Sequence, residues 1–213
     1  ECLVGSEMCI RDRYESILKE NDVDILHIAF SSGLSGSFNS CRIAAADVCE
    51  KYPDRRIVVV DSLAATLGQG LLVYKAVQLK EAGKNLDEIA AWLEENKYHL
   101  VHNFTVDDLF HLHRGGRLSK TAAIVGTMIN LKPVLHVDDE GHLVMLSKVR
   151  GRKKSLIGLV DCMEKQLGDW KDKNDIIFIS HGDCPEDAQF VADLIKERFG
   201  CLLYTSPSPR DTR

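Results

Sequence analysis

No stretch of this sequence approaches the roughly 20 consecutive apolar residues that a helix needs to cross a bilayer. Nor does its beginning show the basic-then-apolar order of a secretory leader, so the sequence reads as soluble and cytosolic. An excess of basic charge is missing too: 27 Lys and Arg stand against 32 Asp and Glu, a net of −5. A protein that binds nucleic acid by broad phosphate neutralisation needs a basic face, and this balance argues against one. Seven cysteines are present, but no CxxC pair. Cys41, Cys49, Cys162 and Cys184 are scattered and the other three sit in the terminal segments, which suits small buried apolar side chains in a reducing compartment.

Periodicity is also absent from both ends. "VGSEMCIRDR" (4–13) and "CLLYTSPSPRD" (201–211) follow no evident helix or strand pattern, yet they are related through DNA. The string GTGGGCTCGGAGATGTGTATAAGAGACAG encodes V-G-S-E-M-C-I-R-D, and its reverse complement, read one base in, encodes C-L-L-Y-T-S-P-S-P. That string resembles a transposase-based sequencing adapter. The expectation is that residues 1–13 and 201–213 are translated adapter flanking a fragment, to be set aside in fold reasoning. Removing them takes away 4 basic and 4 acidic residues, so the net charge stays at −5.

Between the ends, strands alternate with helices. "DILHIAF" and "RRIVVVDS" are apolar runs suited to a parallel sheet, and "SFNSCRIAAADVCEKY" between them has a helical period. This order implies right-handed crossovers in a doubly wound layer. "ATLGQGLLVYKAVQLKEAG" predicts a long helix ended by Gly83, and "NLDEIAAWLEEN" a helix capped by Asn85 with acids in its first turn. From about residue 99 the pattern changes. "HLVHNFTV" predicts a strand, "DDLFHLHRGG" a helix stopped at Gly115 and Gly116, and "SKTAAIVGTMIN" a small-residue helix capped by Ser119. "PVLHVDDEGHLVMLSKV" alternates on both sides of an Asp-Glu-Gly turn, as a β-hairpin does. "RKKSLIGLVDCMEKQLGDW" predicts an amphipathic helix, and "DIIFISHGDCPEDAQFVADLIKERF" strand, loop and helix. The fold class expected is α/β with two domains, over 14–98 and 99–200: a doubly wound sheet and a second α/β domain.

The chemistry concentrates in "SSGLSGSF" (31–38), between a strand and a helix. Ligands of open α/β sheets sit beyond the carboxyl ends of strands, where helix N-termini and unpaired amides favour an anion. Hydroxyls at Ser31, Ser32, Ser35 and Ser37 add donors, while Gly33 and Gly36 allow close approach of the backbone. No lysine follows the glycines as in a P-loop, which disfavours a nucleoside triphosphate. The sequence "GLSGS" lacks the final glycine of a nucleophile elbow. The bland alternative is that Ser37 caps the helix and the other hydroxyls satisfy the turn.

"SSGLSGSF", "VVVDSLAATLGQGLLVYKA", "LHRGGRLSKTAAIVGTMINLKPVLHVDDEGHL" and "KVRGRKKSL" occur in the order and spacing of the DegV family, which this chain resembles over nearly all of 14–200. That is a two-domain α/β family that binds a single fatty acid, and some members are the acyl-carrying subunit of a bacterial fatty acid kinase. The resemblance implies a non-catalytic lipid-binding subunit with no cofactor and a fatty acid as ligand. It implies that Ser32 grips the carboxylate within a ligand-binding set of Ser31, Ser32, Gly33, Ser35, Gly36 and Arg117, while the acyl tail enters an apolar tunnel between the domains. "AAIVGTMINL" is a candidate tunnel lining; ordinary core packing is the alternative. The family also holds the carboxylate with a Thr from an upstream Thr-Ser loop and a His from a downstream Gly-rich loop. Neither motif is present here and His181 does not match that His motif, so the resemblance implies that the carboxylate site is incomplete in this chain and that the chain by itself need not hold the ligand.

"KVRGRKK" gathers Lys148, Arg150, Arg152, Lys153 and Lys154 around a helix start, where cations oppose the helix dipole and an anionic partner would relieve them. Arg117, Arg150, Arg152 and Lys153 are the candidate contacts for a kinase catalytic subunit. A solvated basic face is the alternative for the run, and an ion pair with Asp107 or Asp108 for Arg117. RNA fits less well, because no stacking aromatics lie nearby. His111 and His113 are two apart and share no helix face, and His99 and His102 lie on a predicted strand, so no metal site is supported. Nothing orients His181 and Cys184 as a dyad. Two rivals stand beside lipid binding: a hydrolase-like enzyme using Ser35 on a degenerate elbow, and a loop for a small phosphorylated metabolite.

Overall fold

The computed structural model describes residues 7–118, 131–200 and 202–207. The predicted helix over 119–130, its cap Ser119 and the "AAIVGTMINL" lining lie outside the described residues. The chain divides into two compact units. The first comprises the described residues up to Ala65, Gln69–Leu100 and Asp139–His142; the second comprises Thr66–Gly68, Val101–Asp138 and the residues from Leu143 onward.

In the first unit, β1 (Ile25–Ala29) and β2 (Ile57–Asp61) form a parallel pair in the register Ile25 with Ile57 and Ala29 with Asp61. Successive strand residues face opposite sides, so the pair has two apolar faces. On one, Ile25, Ile57 and Val59 meet Ala44, Ala45 and Val48 of α2 (Ser37–Lys51) and Tyr14 and Leu18 of α1 (Glu7–Glu20). On the other, Leu26, Ile28, Val58 and Val60 meet Leu72 and Ala76 of α3 (Thr66–Glu81) and Ile89 and Leu93 of α4 (Leu86–Asn96). Helices on both faces of parallel strands are the doubly wound arrangement. Asn85 caps α4 as expected, in a capping box with Glu88. Gly83 follows α3 at φ 85°, the conformation that suits glycine after a helix end.

Two expectations about the ends need correction. Residues 7–13 are not aperiodic: they form the first turns of α1, where Ile10, Tyr14 and Leu18 recur at four-residue spacing and turn toward the core. Arg11 also pairs with Glu7 one turn back, at 2.9 Å. Residues 202–207 form β7 (Leu202–Pro207), parallel to β6 (Ile176–His181).

The second unit holds a three-stranded antiparallel sheet in the order β3 (Asn103–Phe104), β4 (Leu131–Val137), β5 (Leu143–Arg150). The strand expected over 99–106 shrinks to these two residues, because 97–99 form a 3-10 turn continuing from α4. The hairpin lies where its turn chemistry placed it, with Gly141 at φ 77°. Helix α5 (Leu109–Arg114) is capped by Asp108, whose carboxylate accepts from the Phe110 amide at 2.8 Å; Leu109 and Leu112 pack with Leu135 and Met145. Helices α6 (Arg152–Leu167) and α7 (Pro185–Phe199) form a further core with Ile177 and Ile179 of β6. Among the described residues no helix is long and apolar enough to cross a membrane.

His102, on the segment whose pattern predicts a strand, belongs to this unit. Its Nδ1 is buried with no hydrogen-bond partner among the described residues, and a Cβ placed on Gly68 would lie 2.6 Å from it. Burial pushes the imidazole down from 6.5 to about 4. The folded form therefore binds fewer protons than the unfolded chain below pH 6.5, so stability is complete above that value and falls as pH drops toward 4. The expected loss between pH 6.5 and 5 is about 2 kcal/mol, read from urea unfolding at both values. His102→Phe should flatten that dependence; an unchanged slope in the variant would contradict the assignment.

Candidate functional site

The candidate site is built where β1 and β2 end. Asp61, the last residue of β2, is buried, and its Oδ1 accepts two backbone N–H groups at 3.1 Å, from Ser32 and from Leu63. One carboxylate oxygen therefore joins the loop after β1 to the loop after β2. A second tie runs from the Ser31 amide to the Ala64 carbonyl at 2.9 Å, and a third from the Ser62 amide to the Ala29 carbonyl at 3.1 Å. Ser62, fully buried, folds its own loop: its hydroxyl donates to the Ala64 carbonyl and accepts from the Ala64 amide. Leu63 adopts φ 49°, a conformation that a non-glycine residue enters only when its surroundings require it. Gln69 on the first turn of α3 donates to the Ile28 carbonyl at 2.8 Å.

Ser31 has no exposed surface. Its hydroxyl donates to the Gly141 carbonyl at 2.8 Å and accepts from the Gly33 amide at 3.2 Å. A hydroxyl has one proton, and this one is already committed. The turn 139–142, which clusters with the first unit, thus forms the third wall of the loop. Both glycines are required by that approach. A Cβ on Gly33 would stand 2.8 Å from the Glu140 and Gly141 carbonyl oxygens, and a Cβ on Gly141 would fall on the Ser31 hydroxyl. Gly33 accordingly opens toward the turn.

The remaining donors point elsewhere. The Ser32 side chain is exposed, and its hydroxyl has no partner among the described residues. The Ser35 hydroxyl accepts from the Ser37 amide at 3.2 Å and keeps its proton. The cap of α2 differs from the bland expectation: Gly36 is the N-cap and Ser37 makes no capping bond, because Ser35 already serves the amide that opens the helix. The amides of Gly36, Phe38 and Asn39 have no acceptor among the described residues. Space around Gly36 is open. Ser32, Ser35 and the first turn of a 15-residue helix thus present hydroxyls, amides and the positive end of a helix dipole with no cation among them, a set that suits a carboxylate.

The basic candidates lie in the second unit. Arg150 ends β5 and is exposed; Gly151 at φ 91° turns the chain into α6. Lys153 is exposed with its ammonium 5.4 Å from the centre of the Phe190 ring. Arg152 is committed within the protein, with Nε 2.7 Å from Asp187 Oδ2 and Nη1 3.8 Å from Asp107. Arg117 is exposed and donates to the Gly115 carbonyl; Asp107 is bonded to Lys132 and Asp108 to its own helix, so neither forms the expected ion pair with it. Among the described residues no group of three or more His, Cys, Asp and Glu is placed to hold a metal.

Sequence reasoning missed a buried chain of polar groups behind the β1–β2 pair. Tyr14 Oη lies 2.8 Å from His27 Nδ1, and Cys41 Sγ lies 3.4 Å from His27 Nε2. Desolvation holds the imidazole below its ordinary value and pushes the Tyr14 phenol and the Cys41 thiol up. All three stay neutral, which suits structure rather than nucleophilic chemistry. Both ring nitrogens of His27 are taken, so it is not poised as a base for Ser35.

If the Ser31 hydroxyl holds the turn, Ser31→Ala should cost about 1–3 kcal/mol by leaving a buried carbonyl and amide unpaired. Gly141→Ala should cost a similar amount, through positive φ and overlap. The double variant should lose less than the sum, since both act on one contact. Urea unfolding of the three proteins checks this; strict additivity would refute the shared contact.

Comparison with known proteins identifies the family. The sequence model described as "Uncharacterised protein, DegV family" matches residues 6–207. A DegV domain-containing protein of Clostridium perfringens is 50% identical over 188 residues, covering 88% of this chain and 64% of that protein. The chain thus spans less than two thirds of that relative's length. The crystal structure of a DegV family protein from Ruminococcus gnavus, refined with vaccenic acid, superposes with a TM-score of 0.84 at 28% identity, covering 95% of this chain and 70% of that one. The Streptococcus pneumoniae Fatty Acid Kinase B3 protein, loaded with linoleic acid, superposes with a TM-score of 0.81 at 27% identity, covering 93% and 69%. With its two α/β units and its Ser-Gly loop at the end of β1, this chain belongs to the DegV family.

Proposed function

We propose that the chain is the carboxylate-gripping part of a cytosolic fatty-acid-binding protein that has no catalytic residues of its own. The observation that carries this reading is the loop from Ser31 to Ser37. Ser32 and Ser35 each keep a hydroxyl proton, and the amides of Gly36, Phe38 and Asn39 have no acceptor among the described residues. Such a site holds an anion without activating it. Ser31 and Gly33 support the loop, and Ser32 and Ser35 with the Gly36 amide make the contacts. Relatives of similar fold carry vaccenic and linoleic acids, which supports a long-chain acid as the ligand. The cytosolic assignment draws on the free thiols of Cys41, Cys49, Cys162 and Cys184, set against one disulfide-bonded cysteine, Cys9.

Presentation of the bound carboxylate to a fatty acid kinase is the second part of the proposal. It draws on the likeness to the pneumococcal kinase-associated protein and on the exposed cations Arg117, Arg150 and Lys153, with Arg152 positioning the helix that carries Lys153. No observation favours the hydrolase reading.

Mass spectrometry of lipids extracted from an intact, full-length version purified out of a bacterial host should reveal a stoichiometric long-chain fatty acid. Ser32→Ala should weaken uptake of added fatty acid about tenfold, the effect of one lost hydrogen bond to a charged group. A full-length protein that emerges empty and takes up no added acid would overturn the proposal.

A further inference from the structure

Asp61 is a buried acid beside a loop that we assign to an acidic ligand, an arrangement that needs a reason. A negative charge at that place disfavours a second one, so the residue is not there to attract the carboxylate. Its geometry supplies another role. Oδ1 takes the amide of Ser32 and the amide of Leu63, both at 3.1 Å, and so fixes the backbone of Ser32 from behind. On the other side of the same residue, Ser31 is pinned by the Gly141 carbonyl at 2.8 Å, and Gly33 by the Ser31 hydroxyl at 3.2 Å. Ser32 is therefore the one exposed residue between two anchored neighbours, with its amide turned inward and its hydroxyl left over.

Resting on the fatty-acid reading above, we infer that Asp61 is a positioning residue that makes the loop selective for an ionised head group. By occupying the Ser32 amide, it leaves the Ser32 hydroxyl as that residue's sole donor to the ligand and holds it in place. An aliphatic alcohol of equal length keeps the hydrocarbon contacts but gains less from a donor fixed for a carboxylate, because bonds to a charged acceptor are the stronger ones. Asp61 thus acts on the preference for acid over alcohol, and acts through Ser32.

The test is the ratio of dissociation constants for palmitic acid and hexadecanol, measured by displacement of a fluorescent fatty acid from the full chain. In Asp61→Ala the ratio should shift about tenfold toward the alcohol, the scale of one charge-assisted bond. In Asp61→Asn the amide oxygen still accepts both N–H groups while the charge is gone, so the ratio should stay at or above that of the unmodified protein. In the Ser32→Ala background Asp61→Ala should no longer shift the ratio toward the alcohol. A merely structural role would lower acid and alcohol binding together and would add to the Ser32→Ala loss; either result overturns the inference while leaving fatty-acid binding intact. If Asp61→Ala does not fold, Asp61→Asn decides alone: a ratio fallen to the Ser32→Ala level overturns positioning. An unmodified chain that binds neither lipid sinks the functional reading and this inference with it.

Discussion

The hydroxyl of Ser31 is the contact on which the candidate site depends. It lies wholly out of water, with one proton and limited room, and both its donor and an acceptor position are used within the chain. A buried hydroxyl without partners would be costly, so the loop and the turn at Gly141 are held to one arrangement. That arrangement dictates glycine at positions 33 and 141, where a Cβ would meet backbone or the hydroxyl itself. It also determines what is free: with Ser31 and the Ser32 amide consumed, the outward hydroxyls and the first turn of α2 are what the loop can offer a ligand.

The division of work between the head and tail of a fatty acid follows from magnitudes. Each buried methylene contributes about 0.8 kcal/mol, so a sixteen-carbon tail can supply on the order of 10 kcal/mol before entropy is subtracted. One hydrogen bond to a charged group adds about 1.5–3 kcal/mol. On the proposed reading, affinity comes mainly from the hydrocarbon, and the loop sets which end of the molecule is held. So rigid a loop serves orientation of a bound head group more than it serves affinity.

Much of the fold was legible because its signals are local. Asn85 and Asp108 announce helix starts through their own side chains, the alternating runs around Asp-Glu-Gly announce a hairpin, and the β-branched run before Asp61 announces a buried strand. The loop itself was legible as Ser- and Gly-rich, but the partition of its hydroxyls was not. The partner of Ser31 lies 110 residues away, and nothing in "SSGLSGSF" says that Gly33 yields to a distant turn rather than to a ligand. Asp61 looked like the end of a strand because its two acceptor bonds appear only when the loops meet. His102 and the Tyr14–His27–Cys41 chain were hidden for a similar reason, since burial of an imidazole is a property of packing. The stripe of Ile10, Tyr14 and Leu18 is itself readable at helical spacing, although Ile10 lies in the segment whose codons match the adapter string.

The most direct test of a Ser32-centred carboxylate site is carbon NMR of the chain with palmitic acid labelled at the carboxyl carbon. One narrow bound resonance is expected, displaced from that of the free acid and moved again by Ser32→Ala while Ser37→Ala leaves it in place. A bound resonance indifferent to Ser32 would show that the head group is held elsewhere and contradict the site as built here.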